Sequence, residues 1–136
     1  MEKYVHKVQY YETDRMGITH HSNYVRWMEE ARVDFMAKIG WPYDRMEDEG
    51  IASPVLAVNA RYKSSTTFGD EVSIDVSVAD YTGVRLVIGY RMEKQDGRLV
   101  CEGTTEHCFV GKDGKLLKLK RDFPEFDEVL LELKEK

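Results

Sequence analysis

The sequence predicts an α+β fold in which one antiparallel sheet wraps around a single long helix. Two observations carry this prediction. Apolar residues recur with helical spacing between Ser22 and Ile39, and with the period of a strand over most of the chain after Gly50. The helix has one apolar face, which a curved sheet can bury. The 136 residues have the length of one domain, so we assign residues 1–136 to a single domain.

The first half of the chain contains one predicted strand and the long helix. The strand is expected over residues 3–11, and a polar loop that contains Gly17 follows it. The helix is expected over residues 22–39, and its apolar stripe has the period of an α-helix. The stripe consists of Tyr24, Trp27, Met28, Ala31, Phe35 and Ile39.

Both ends of the long helix carry local signals. Ser22 or Asn23 is expected to cap the free N–H groups of its first turn. Gly40 and then Pro42 are expected to end it, because glycine closes a last helical turn and proline cannot continue one. A short helix is predicted over residues 42–49.

The second half of the chain is predicted to be mostly strands. Asp96-Gly97 and Asp113-Gly114 are hairpin signals, so the last three segments are expected to form an antiparallel meander. A C-terminal helix is predicted over about residues 124–135. The predicted strands cover residues 51–63, 71–80, 84–95, 98–110 and 115–120.

Composition excludes several classes of function. The net charge of −5 argues against a broad nucleic-acid surface. No apolar run approaches the roughly 20 residues that cross a bilayer, so no membrane insertion is expected. The charged N-terminus lacks a secretory signal, and Cys101 and Cys108 are expected on opposite faces of one strand, where they cannot bond. A cytoplasmic protein with reduced thiols is the prediction.

The run between Asp14 and Tyr24 carries the chemistry. Asp14 precedes the predicted start of the helix by a few residues, and Gly17 allows a tight turn and close approach by a substrate. The arrangement would place a carboxylate beside the positive end of a helix, where N–H groups can polarise a carbonyl oxygen while an anion attacks its carbon. Acyl transfer is the reaction that this pattern favours.

These residues resemble the motif of a known family. Asp14-x-x-Gly17, His21-x-Asn23-Tyr24 and the helical residues after them are similar to the 4-hydroxybenzoyl-CoA type of hot-dog-fold acyl-CoA thioesterases. The resemblance implies a hot-dog fold and hydrolysis of an acyl-CoA thioester. It also implies that Asp14 acts as nucleophile or as general base, and that the N–H of His21 or a neighbour polarises the carbonyl.

The resemblance also implies a set of substrate contacts. It assigns His21 a catalytic role beside Asp14 and places the coenzyme A arm near Arg61 and Lys63. It implies homodimers, joined edge to edge with the active site at the boundary, that often stack into homotetramers. We expect no metal and no cofactor, since coenzyme A is part of the substrate. The expected substrate-binding residues are Gly17, Asn23, Tyr24, Arg61 and Lys63.

Plainer interpretations of the same residues stay open. Asp14 could simply bond backbone N–H groups of its loop, and Asn23 could be only a helix cap. Adjacent His20 and His21 are expected to diverge, and no further ligand has metal-site spacing. The alternative functions are a non-catalytic module that binds acyl-CoA or an acyl carrier, and an acyl-thioester hydratase. The sequence leaves the acyl group open.

Overall fold

Five strands form one antiparallel sheet in the computed structural model, which describes residues 1–135. The strand order is β1-β3-β4-β5-β2, so β1 and β2 form the two edges. The strands are β1 (Tyr4–Lys7), β2 (Val55–Tyr62), β3 (Glu71–Tyr81), β4 (Arg85–Lys94) and β5 (Leu99–Cys108). The helices are α1 (Ser22–Lys38), α2 (Tyr43–Asp48), α3 (Leu119–Asp122) and α4 (Pro124–Leu133).

Helix α1 packs on one face of this sheet and begins and ends within a residue of its predicted bounds. Its stripe is buried against apolar side chains of the central strands, and this contact forms the core. Within residues 1–135, no helix is both long and apolar enough to cross a membrane. The buried stripe consists of Tyr24, Trp27, Met28, Ala31, Phe35 and Met36.

The predicted cap of α1 is wrong. His21 occupies the N-cap position and caps no N–H group with its side chain. Asn23 lies inside the first turn, where its side-chain amide donates to the carbonyl oxygens of Glu12 (3.0 Å) and His20 (3.2 Å). Asn23 therefore ties the preceding loop to the helix instead of capping it.

Only part of the predicted meander forms, because the segments expected over 84–95 and 98–110 pair as β4 and β5, whereas residues 115–120 form no strand. Strands β3, β4 and β5 pair in sequence, and the predicted hairpin at Asp96-Gly97 joins β4 to β5. Gly97 has a φ of 86°, a left-handed conformation that favours glycine. Cys101 and Cys108 are both free, as expected.

Two predicted strands begin or end in the wrong place. The strand expected over 3–11 ends at Lys7, because the chain turns at Gln9 into a short 3-10 helix, Tyr10–Glu12. The strand expected over 51–63 begins only at Val55, after Pro54.

The strand predicted over residues 115–120 is absent. The Asp113-Gly114 turn forms, and the Lys115 N–H donates to the Asp113 carboxylate at 3.0 Å. Pairing then stops after one bridge between Val110 and Leu116. The chain bends into α3, which buries Leu119 completely, so burial of this side chain overrides the local strand pattern.

A chain of polar side chains crosses the core between α2 and β5. The buried guanidinium of Arg32 donates to the hydroxyls of Tyr43 and Tyr90, both at 2.9 Å. Tyr90 bonds Thr105 at 2.7 Å, and Thr105 bonds the Nε2 atom of His107 at 2.8 Å. Within residues 1–135, no carboxylate lies within 4.0 Å of the Arg32 guanidinium, so hydroxyl groups alone solvate this charge.

Candidate active site

A cleft of about 320 Å³ opens at the N-terminal end of α1. One wall comes from the loop and first turn of α1, and the other comes from the end of β2 and the residues that follow it. Three predicted site residues lie in it. The lining residues are Ile18, Thr19, His21, Tyr24, Tyr62, Lys63, Ser64 and Ser65.

Hydrogen bonds join the two walls of the cleft. The Thr19 N–H donates to the Thr66 carbonyl oxygen at 2.9 Å, and the Thr67 hydroxyl donates to the Gly17 carbonyl oxygen at 2.8 Å. The buried hydroxyls of Thr19 and Thr66 are 2.6 Å apart, and Tyr24 bonds Thr66 at 3.1 Å. Burial raises the pKa of Tyr24, which keeps this phenol neutral. The end of the loop, at Gly17 and Thr19, is therefore held against the segment that follows β2.

Asp14 lies in the loop beside the cleft and is half-buried. Its Oδ1 atom accepts the Met16 N–H at 2.8 Å, and its own N–H donates to the Ile18 carbonyl oxygen at 2.8 Å. Thr13, the preceding residue, pairs with Thr19 of the cleft wall. Asp14 therefore does make the turn of the plainer interpretation. Within residues 1–135 its Oδ2 atom makes no hydrogen bond.

Gly17 shapes the loop and does not line the cleft. Its φ is 80°, a left-handed conformation that favours glycine. A Cβ atom there would meet no atom within 4 Å, so conformation and not crowding explains the glycine.

The N-terminal turn of α1 leaves one amide unused. The N–H groups of Asn23 and Tyr24 donate to the carbonyl oxygens of His20 and His21, at 3.0 and 3.3 Å. The Ser22 N–H donates to Nδ1 of His20 at 3.2 Å. Among residues 1–135, no acceptor faces the N–H of His21. A free N–H at the positive end of a helix, on a residue of the cleft wall, is suited to bind an oxyanion.

The rings of His20 and His21 stack at 4.4 Å, and so do not diverge as expected. His21 also contacts Tyr62 edge to face at 6.2 Å. In the part of the chain that the structure describes, no three His, Cys, Asp or Glu side chains cluster as a metal site requires. His21 thus contributes an aromatic wall to the cleft, and His20, which is not a lining residue, stacks against it.

Only one of the two predicted coenzyme A contacts lines the cleft, although alternation alone would place residues two apart on the same face. Lys63 follows the end of β2, lines the cleft and lies 4.0 Å from Glu102. Arg61 pairs with Glu102 and lies on the opposite face of the sheet, in a shallow groove with Asn59. The structure therefore brings Lys63 to the cleft and leaves Arg61 outside it.

Sequence reasoning missed Glu12, which is almost fully buried below the loop. Its carboxylate accepts hydrogen bonds from the Gln9 N–H, His6 and Trp27. Burial alone would raise its pKa, but these three hydrogen bonds outweigh burial and lower it. The local signal is weak, because only the spacing of Gln9 and Glu12 suggests a capping box.

The chain matches a known family over most of its length. The family described as the thioesterase-like superfamily matches residues 8–133. YneP of Bacillus subtilis, which has been proposed to be an acyl-CoA thioesterase, is 35% identical over 121 residues, or 88% of each chain. The 4-hydroxybenzoyl-CoA thioesterase of Pseudomonas sp. is 21% identical over 119 residues, or 82% of this chain and 84% of that one.

Solved structures agree with the sequence relatives. A DHNA-CoA thioesterase from Staphylococcus aureus superposes with a TM-score of 0.91 at 35% identity, over 96% of this chain and 89% of that one. The five-stranded sheet with α1 on one face is therefore the hot-dog fold that the resemblance implied. The chain belongs to the thioesterase-like superfamily and is a thioester hydrolase.

Proposed function

We propose that the protein hydrolyses acyl-CoA thioesters in the cleft at the start of α1. The observation that carries this proposal is the unused N–H of His21 at the cleft, beside a loop whose Asp14 keeps one carboxylate oxygen free. The N–H polarises the thioester carbonyl, and the carboxylate supplies the anion. Loss of one such donor raises a barrier by roughly 2.7–4 kcal/mol in other enzymes.

Two chemical routes use this geometry. In the first, Asp14 removes a proton from water, the water oxygen attacks the carbonyl carbon, and the C–S bond breaks to release the thiolate. In the second, Asp14 attacks the carbon itself and the C–S bond breaks to release the thiolate, and water then attacks the Asp14 carboxyl carbon of the mixed anhydride to release the acid. One turnover in ¹⁸O-labelled water separates them. The first route labels the acid product at once, whereas the second places an unlabelled Asp14 oxygen in it.

Lys63 is the proposed contact for the phosphates of coenzyme A. It is the one of the two predicted basic residues that lines the cleft, and its partner Glu102 is 4.0 Å away, at the limit of an ion pair. An exposed pair of this length is weak, so the ammonium group is available to a phosphate.

The aromatic walls favour a flat acyl group. Tyr24 and Tyr62 have their ring centres 5.3 Å apart, and His21 lies against Tyr62. Aromatic groups pack against such rings in offset or edge-to-face contact. Two relatives carry names that specify aromatic acyl-CoA substrates, 4-hydroxybenzoyl-CoA and DHNA-CoA. We therefore propose an aryl acyl-CoA as the preferred substrate.

The proposed assembly is a homodimer joined through β2, with dimers able to stack into a homotetramer. Strand β2 is an edge strand, and its apolar side chains on the helix side are exposed: Leu56 by 58%, Val58 by 45% and Tyr62 by 49%. A long apolar edge invites pairing with another strand. Tyr62 also lines the cleft, so pairing there would place the site at the boundary between subunits.

A panel of acyl-CoAs with released thiol as the readout tests the proposed function. We expect turnover of aryl acyl-CoAs above that of short and long aliphatic ones. Asp14→Asn is expected to lower kcat by about 10²- to 10⁴-fold. The asparagine side-chain oxygen can still accept the Met16 N–H, so the turn survives.

Asp96→Asn is the matched control, because Asp96 makes the same kind of turn bond, to the Arg98 N–H at 2.9 Å, in the β4–β5 hairpin. Its kcat should stay within about twofold of the wild type. Turnover by Asp14→Asn at the wild-type rate would refute the role of Asp14. Acyl-CoA binding without thiol release, in the wild type and in the variant, would support the non-catalytic module, and loss of an enoyl-CoA without thiol release would support a hydratase.

A further inference from the structure

We propose that Glu12 is a positioning residue that sets the separation between Asp14 and the free N–H of His21. This inference rests on the proposed function, since it concerns the two groups assigned to the reaction. Glu12 touches neither group. It acts through its hydrogen bonds to the elements that carry them.

The side chain of Glu12 is a buried anion whose hydrogen bonds come from three elements. Its Oε1 atom accepts the Gln9 N–H at 2.8 Å and His6 Nε2 at 2.8 Å, and its Oε2 atom accepts the indole N–H of Trp27 at 2.7 Å. The residue is 5% exposed. A buried carboxylate is tolerated only when such donors replace water, so the side chain has essentially one position.

The backbone of the same residue bonds the start of α1. The Glu12 carbonyl oxygen accepts the His20 N–H at 2.8 Å and the Asn23 side-chain amide at 3.0 Å. His20 precedes the residue with the free N–H, and Asp14 follows Glu12 by two residues. One residue therefore connects Trp27 in the core face of α1, the entrance of that helix and the loop of the carboxylate. A displacement of about 1 Å between reacting groups can cost about 100-fold in rate.

His6 connects Glu12 to a second carboxylate, that of Glu30 in α1. Its Nδ1 atom lies 3.0 Å from Glu30, whose carboxylate also accepts the Tyr4 hydroxyl at 2.8 Å. Among residues 1–135, the Glu30 side chain bonds only Tyr4 and His6, neither of which belongs to the loop or the start of α1, so Glu30 is a control for this network.

Two variants test the inference, with thiol release from the best substrate as the first readout. Glu12→Gln places an amide NH₂ against at least one N–H donor, since each carboxylate oxygen accepts one or two hydrogen bonds. We expect kcat to fall by about 10- to 100-fold with KM changed by less than about threefold. Trp27→Phe removes only the indole donor and keeps the aromatic packing, so about a 3- to 10-fold loss of kcat is expected. Glu30→Gln should retain kcat within about twofold.

Hydrogen exchange of the His20 amide is the second readout, and it needs no turnover. The exchange rate should rise about tenfold or more in Glu12→Gln and in Trp27→Phe, while amides of β3 and β4 and all amides of Glu30→Gln keep their rates. If the wild type releases no thiol, the proposed function fails and the exchange rates still decide the role of Glu12. A kcat for both variants within about twofold of the wild type, or an unchanged His20 exchange rate, would overturn the inference.

Discussion

The two edge strands of the sheet, β1 and β2, differ in how far their side chains are bonded to the rest of the chain or left exposed. At the β1 edge, the inward side chains of Tyr4 and His6 both bond Glu30 of α1, and His6 also bonds the buried Glu12. At the β2 edge, seven of the eight residues are exposed and Ala60 is half-buried. We call the β1 edge, whose inward side chains are bonded within the chain, the closed edge, and the β2 edge, whose side chains are mostly exposed, the open edge.

The sequences of the edges explain the difference. Strand β1 has four residues, and Lys3 and Lys7 lie at its ends, which is how short edge strands resist pairing. Strand β2 has eight residues, mostly valine, leucine and alanine. The loop of Asp14 is adjacent to the closed edge, and Tyr62 and Lys63 belong to the open one. Half of the candidate site is therefore fixed within the chain, and in the proposed dimer the other half is completed by a second copy.

The largest expected effect comes from a charge on the open edge. Val58→Asp would bury an unpaired carboxylate in the proposed interface, so the dimer dissociation constant should rise by about 100-fold or more, which is about 2.7 kcal/mol. Thiol release should fall with it. Val5→Asp is the control, because Val5 is 55% exposed on the closed edge. Sedimentation equilibrium measures the effect, and an unchanged oligomer in both variants would show that β2 is not the interface.

A second prediction concerns acid stability near the open edge. His107 is fully buried opposite Val55 of β2, and burial, with help from the Arg32 guanidinium, lowers its pKa to about 4. The unfolded chain binds this proton at pH values where the folded chain does not. The stabilisation is therefore complete above about pH 6.5 and is lost as the pH falls towards 4, by an amount on the order of 3 kcal/mol.

Urea unfolding of the wild type and His107→Gln measures this loss. The variant has no imidazole to titrate, so its free energy of unfolding should change less between about pH 6.5 and 4. At the closed edge, the loss of stability that depends on Glu12 falls in a different pH range. The pKa of Glu12 is lowered from 4.5, so its stabilisation is present above that value and is lost only at lower pH, and Glu12→Gln should flatten only that acid limb. If the free energy of unfolding changed equally with pH in His107→Gln and in the wild type, His107 would not be the group responsible for the loss.

The smallest expected effect is on substrate affinity. Lys63→Gln should raise KM for acyl-CoA by about 3- to 10-fold, leave kcat nearly unchanged and reduce the dependence of KM on salt, because one phosphate contact is lost. Lys7→Gln, at the closed edge, is the matched exposed lysine and should leave KM unchanged. If Lys63→Gln had the same KM as Lys7→Gln, we would conclude that Lys63 does not contact the substrate.

Local signals predicted most of the fold. The bounds of α1 follow from helical spacing between Ser22 and Ile39, and the β4–β5 hairpin follows from Asp96-Gly97. The strand expected over 115–120 failed for a non-local reason, since burial of Leu119 bends the chain there. Alternation can propose a strand, but the packing of distant residues decides whether it forms.

In the candidate site too, local sequence signals predicted some residues and missed others. Asp14 and His21 were predicted because they belong to one contiguous run, and His21 lines the cleft. Thr66 and Glu12 were missed because their roles come from partners elsewhere: Thr66 meets Thr19 across 47 residues, and the Glu12 carboxylate meets Trp27 of α1. Such contacts join residues that come together only in the folded chain, so the spacing of the residues along the sequence does not predict them.

The buried guanidinium of Arg32 limits which substitutions this core can accept during evolution. Tyr43, Tyr90, Thr105 and His107 form one connected set with it, and each hydroxyl serves two neighbours or the cation itself. Replacing the cation alone leaves hydroxyls without partners, and replacing Tyr90 alone leaves a charge unsolvated. Homologous proteins are therefore expected either to keep all five side chains or to replace them together, so these five positions should co-vary.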